Sequence, residues 1–179
     1  MVAYDPSWPQ VFEHLRVPIW QAVQGFAHAV VHVGSTSVPG LIAKPIIDLD
    51  IIVPSRTSMS VVIDKLAEIG YRHCGNLGIV DREAFESPPG LPSHHLYACI
   101  EGCFALENHL AVRDYLRNHP SAVASYGALK RQLAERFATD PQAYSEGKSD
   151  FLLSILDQAG CSNGMLHAVR AANEKAPSS

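Results

Sequence analysis

VVHVGSTSVPGLIAKPIIDLDIIV, residues 30–53, decides how the rest of the chain is read. Two runs of branched apolar residues, 30–33 and 46–53, predict strands, and the Gly, Ser, Thr and Pro between them predict a loop. The second run carries Asp48 and Asp50. Alternate residues of a strand project to one face, so these carboxylates stand together, about 6.5–7 Å apart, while Ile47, Leu49 and Ile51 face the other side. Like charges on one strand face repel, and strands disfavour aspartate even singly. Ending the strand at one aspartate and pairing the other with a lysine or a helix end leaves that conflict in place. A divalent cation removes it. Carboxylate oxygens suit Mg²⁺, which keeps several waters and shares its coordination with substrate phosphates, and a pair of such ions can clamp both oxygens of a phosphoryl transfer.

The loop before the aspartates fits phosphate. Gly34, at the end of the first strand, lets backbone approach where any Cβ would block it. Ser35, Thr36 and Ser37 offer hydroxyls and neighbouring N–H groups to phosphate oxygens, and Lys44 adds positive charge just before the second strand. A P-loop is excluded, because neither Gly34 nor Gly40 leads into Gly-Lys-Ser/Thr.

A strand ending in Gly-Ser, a twelve-residue linker (36–47) and Asp-x-Asp in a second strand resembles the DNA polymerase beta-like nucleotidyltransferase superfamily. Within it, HVGSTSVPGLIAKPIIDLDIIV resembles the GrpB family. YDPSWPQVFE at the start, SHHLYACIEG in the middle and RDYLRNHPSAVASYGALKRQLAERFATDPQAYSEGKSDF later extend the resemblance over most of the chain. It implies that the Gly-Ser loop holds a nucleoside triphosphate and that Asp48 and Asp50 bind magnesium. It also favours Arg113 in VRDYLR and Lys148 in YSEGKSDF as cleft residues.

One part of the superfamily pattern is missing. A third carboxylate usually comes from a neighbouring strand, and the corresponding strand here, SHHLYACIEG, has none before Glu101. His95, Tyr97 and Cys99 share one face of it, and we expect His95 to point at the aspartates. A histidine there can ligate a metal, accept a proton at neutral pH, or simply hydrogen-bond an aspartate. Zinc held by His94, His95, Cys99 and Cys103 would need adjacent histidines to converge from opposite faces. A Ser35–His32–Asp48 triad lacks the flanking pattern of a nucleophile elbow. The four cysteines read as free thiols. Arg113 and Arg117 share one helix face, but with Lys130, Arg131 and Arg136 they read individually as a solvated surface.

Outward from this centre, residues 7–25 predict an amphipathic helix through Val11, Leu15, Ile19 and Val23, with Pro18 as a kink point. Residues 58–69 predict a second helix, with Val61, Val62, Leu66 and Ile69 apolar. A strand or irregular pair is expected over 71–85 and a strand over 94–100. Helices follow from about 106 to 118, from Pro120 to about 138, and from Pro141 to about 156 behind a cap at Thr139 or Asp140. The expectation is an α+β protein with a nucleotidyltransferase-like short mixed sheet and a helical C-terminal segment. One unit over 1–170 is expected to carry a disordered tail over 171–179.

With 179 residues, 47% hydrophobic and 18% charged, the chain suits one globular domain. A net charge of −4 argues against a chain built to coat nucleic acid. With no run long enough for a membrane span and no signal-like N-terminus, a cytoplasmic protein is expected. The leading expectation is a Mg²⁺-dependent nucleotidyltransferase acting on a nucleoside triphosphate and an unknown acceptor, small molecule or protein. The competing expectation is an inactive nucleotide-binding or accessory module of the same fold, and a metal-dependent phosphohydrolase is a third.

Overall fold

The first helix, α1 (Trp8–Val23), buries Trp8, Leu15, Ile19 and Val23 as one stripe, the four-residue recurrence read from sequence. Pro18 sits inside it on the exposed side without interrupting it. The computed structural model describes residues 1–161, so 162–179, including the expected tail, lie outside the described residues.

Five strands form one mixed sheet: β1 (Ala29–Val33), β2 (Ile47–Val53), β3 (Arg72–His73), β4 (Arg82–Glu86) and β5 (His94–Ile100), in spatial order β1-β2-β5-β4-β3. Strand β2, second from the edge, runs antiparallel to β1 and parallel to the central β5. The register sets Val33 against Asp48 and Val31 against Asp50 on one side, and His95 against Asp48 and Tyr97 against Asp50 on the other.

One sheet face packs on α1 and α2 (Arg56–Glu68). Leu49, Ile51, Val62 and Leu66 are completely buried there, and burying each such side chain contributes about 1.5–3 kcal/mol. Helix α2 turns Met59 inward with Val62 and Leu66, whereas Ile69, expected on its apolar side, caps the helix exposed. Ser55 caps the N-terminus, its Oγ accepting from Ser58 N–H at 3.1 Å.

The other face supports the helical C-terminal layer: α3 (Phe104–Asn118), α4 (Pro120–Arg136), α5 (Pro141–Glu146) and α6 (Ser149–Gln158). The single helix expected from Pro141 to about 156 is two. Asp140 caps α5, its Oδ1 accepting from Ala143 N–H at 2.9 Å, and the chain turns at Gly147. A Cβ at Gly147 would lie 2.5 Å from Leu133 Cδ2 of α4, so the turn packs closely on α4. No helix among the described residues is long and apolar enough to cross a membrane.

Candidate nucleotide and metal site

Asp48 and Asp50 project from β2 toward the helical layer, as their period-two spacing requires. Asp48 is partly exposed at a cleft, while Asp50 is completely buried beneath it. Each has one oxygen held by a histidine. His95 Nδ1 donates to Asp48 Oδ1 at 2.8 Å, and His109 Nδ1, from α3, donates to Asp50 Oδ2 at 2.7 Å. The bond to Asp48 raises the pKa of His95. For His109, burial opposes the charged ring, but the bond and charge of Asp50 outweigh it and its pKa is also raised.

The remaining oxygens bear on the metal question. Asp50 Oδ1 is buried with no hydrogen-bond partner, a costly state for a carboxylate oxygen. Asp48 Oδ2 lies against Gly34, where any Cβ would overlap it. Gly34 has φ 69° and ψ −170°, a conformation open essentially only to glycine. Loop and carboxylate are thus packed as close as backbone allows. An orphaned carboxylate oxygen beside a second carboxylate suits a hard cation, and these two residues fit Mg²⁺. Among the described residues no group of three or more His, Cys, Asp or Glu side chains is placed to hold a metal. Further ligands would therefore be water and phosphate oxygens, the usual arrangement for Mg²⁺ in phosphoryl transfer.

Two adjoining cavities of about 290 Å³ each open above the aspartates and share Ser35, Asp48 and Lys148. Lys44, Lys130 and His95 line the first; Gly34, His109, Arg113 and Tyr126 line the second. Lys130 is 3% exposed and donates to Ser35 Oγ and to the Ile42 carbonyl, both at 2.7 Å. Burial and the neighbouring Lys148 bring its pKa down to about 7. Lys148 is likewise lowered by burial and by Lys44, and both of those ammonium groups lie over the Tyr144 ring. Four cationic side chains therefore gather around the cleft, with Asp48 at its floor and Asp50 buried beneath it.

The expected site residues divide. Gly34, Ser35, Lys44, Asp48, His95, Arg113 and Lys148 meet at the cleft with Asp50 beneath, whereas the side chains of Thr36 and Ser37 do not reach it. In the 3-10 turn Ser35–Ser37, Thr36 Oγ1 donates to the Ile46 carbonyl and Ser37 Oγ to the Gly34 carbonyl, at 3.2 and 2.6 Å. Their hydroxyls are consumed in shaping the loop. Arg113 is mostly engaged with Asp114 and the His32 carbonyl. The zinc set does not assemble: His94 lies on the opposite sheet face, its Nδ1 donating to the Pro92 carbonyl and its Nε2 accepting from Tyr71 OH. The triad fails too, because His32 bonds Thr36. His109 and Tyr126 were not singled out from sequence, and Lys130, read there as part of a solvated surface, is instead buried at the cleft. The recurrence His109, Arg113, Arg117, four residues apart, was the available signal for the first.

The model describing the GrpB protein family matches residues 1–158. The chain belongs to the GrpB family. It is 32% identical over 159 residues to UPF0157 protein YqkA of Bacillus subtilis, covering 89% of this chain but only 46% of that one. The crystal structure of the conserved protein GrpB from Enterococcus faecalis superposes with a TM-score of 0.78 at 33% identity, covering 88% of this chain and 95% of that one. The Cid1 poly(U) polymerase, in a structure with MgGTP bound, gives a TM-score of 0.53 at 15% identity over 82% of this chain and 50% of that one. At that identity the likeness is one of fold, and this chain has a nucleotidyltransferase-like fold.

Proposed function

We propose that this GrpB protein is a nucleotidyltransferase using a nucleoside triphosphate and Mg²⁺. One observation carries the reading: two strand carboxylates, each with one oxygen fixed by a histidine and the other left free, lie under a glycine-serine loop ringed by lysines. Asp48 and Asp50 would hold Mg²⁺ with phosphate oxygens, and the ion would offset charge developing on the transferred phosphoryl group. Ser35 Oγ accepts from Lys130, which leaves its own hydrogen to donate to a phosphate oxygen. Lys44 and Lys148 add cationic charge toward the leaving pyrophosphate. The acceptor hydroxyl oxygen bonds the α-phosphorus, the bond from that phosphorus to the bridging oxygen breaks, and pyrophosphate departs. With its Nδ1 committed to Asp48, His95 takes the acceptor's proton at Nε2.

A second reading rests on a specific feature: His95 and Tyr97 stand opposite Asp48 and Asp50 on β5, where this class of enzyme commonly supplies a third acid. A chain that binds nucleotide without turnover is the alternative. Calorimetry with ATP, GTP, CTP and UTP, with and without Mg²⁺, on wild type and Asp50→Ala tests binding. Pyrophosphate release with a pool of hydroxyl acceptors tests turnover. Metal-dependent binding with pyrophosphate release supports the transferase, and binding without release supports the module. Binding indifferent to both metal and Asp50→Ala contradicts the transferase.

A further inference from the structure

A cavity of about 770 Å³ lies away from the aspartates, where α1, β1 and the α3–α4 corner meet. That is within the usual range for a small-molecule pocket. His32, which lines it, alternates with Val31 and Val33 along β1 and therefore faces away from Asp48 and Asp50. The Phe12 and His32 rings stack face to face, 4.7 Å between centroids and 6° between planes, and both line the cavity. Tyr4, Pro39 and Val123 complete the apolar walls.

A fixed cation lines the same cavity. Arg117 donates through Nε to the Ser37 carbonyl at 2.9 Å, which orients the guanidinium. No carboxylate among the described residues forms an ion pair with it. The acid lining the cavity, Glu13, is already bound by Arg16 through Nε at 2.9–3.0 Å. The outer nitrogens of Arg117 are thus left for an anion, and a planar guanidinium matches carboxylate or phosphate oxygens two at a time. The hydrogen-bond chain also fixes the histidine tautomer. Thr36 Oγ1 gives its hydrogen to the Ile46 carbonyl, so it accepts from His32 Nε2–H at 3.0 Å. His32 Nδ1 then carries a lone pair. Burial and the two arginines bring the ring's pKa down to about 4, which keeps it neutral.

We propose that this cavity is a second ligand site, independent of the aspartate cleft, for a small organic anion bearing a flat ring: the ring packs against the stacked Phe12–His32 pair and the anionic group lies on Arg117. Nothing in the assignment rests on the transferase reading.

Phenyl phosphate is the probe, because it joins a flat ring to a dianion. It is titrated into the full chain by calorimetry, with inorganic phosphate in parallel. The expected result is saturable binding that weakens at least tenfold in Arg117→Gln, is unchanged in Lys148→Gln of the other cleft, and exceeds that of inorganic phosphate at least tenfold. Nuclear Overhauser contacts in the wild type give a readout that needs no variant, and they are expected from the probe ring to Phe12 and the Val123 methyls. Absence of saturable binding, survival in Arg117→Gln, loss in Lys148→Gln, parity with inorganic phosphate, or contacts to Val112 and Leu152 instead would overturn the proposal.

Discussion

Lys130 holds its ammonium group almost wholly out of water, between Ser35 Oγ and the Ile42 carbonyl and 5.4 Å from the centre of the Tyr126 ring. In the unfolded chain it keeps its proton to about 10.5, and in the fold only to about 7. Between those values the unfolded state binds more protons, so stability must rise with pH across that window. Denaturant unfolding at pH 7 and pH 9 should show the wild type gaining of order 2 kcal/mol relative to Lys130→Met, which lacks the titrating group. Equal slopes for the two proteins would contradict the burial argument. Lysine 130 was visible in the sequence only as one charge among several on a helix. Its burial depends on a contact with residues 88 and 95 positions away, which local pattern does not encode. The pairing of His95 with Asp48 was legible, because period-two alternation on two neighbouring strands fixes which side chains share a face. That of His109 with Asp50 crosses 59 residues from helix to strand and was not.

Among the elements, the interruption between α5 and α6 positions Lys148. Gly147 has ordinary right-handed helical angles, φ −61° and ψ −17°, so conformational freedom is not why glycine stands there. Contact is the reason, since a methyl group would press on Leu133. Gly147→Ala should overpack this junction and cost about 1–3 kcal/mol, read as a lowered thermal midpoint, and should weaken whatever anion affinity depends on Lys148. An unchanged midpoint would show that Leu133 gives way freely. The sequence pattern ran one helix through this point because helical periodicity continues on both sides of the glycine, and a single glycine is tolerated in helices. The strand–loop–strand unit was more legible, since apolar runs bounded by glycine and proline leave few alternatives. Which hydroxyls of the loop faced outward was not legible, because Thr36 and Ser37 carry the same chemistry whether they bond a phosphate or their own backbone.

Across the whole molecule, the acids and two of the cleft lysines belong to different layers. The sheet supplies Asp48 and Asp50, and the helical layer supplies Lys130 and Lys148, with Ser35 bonded across the gap. A metal–triphosphate ligand would therefore join both layers and, by binding only the folded state, stabilise the whole chain in proportion to its affinity. The helical C-terminal half followed from element order and the short mixed sheet from the family resemblance; the strand order, with β2 and β5 parallel neighbours, did not.

The central claim is that a doubly charged ion shared with a phosphate chain neutralises the paired aspartates. Electron paramagnetic resonance of Mn²⁺, standing in for Mg²⁺, with a nonhydrolysable nucleoside triphosphate tests it most directly. The account predicts that protein and triphosphate together bind Mn²⁺ at least tenfold more tightly than triphosphate alone, and that Asp48→Asn and Asp50→Asn each abolish the gain. A Mn²⁺ signal that the protein leaves unaltered, or that both substitutions leave in place, would contradict it.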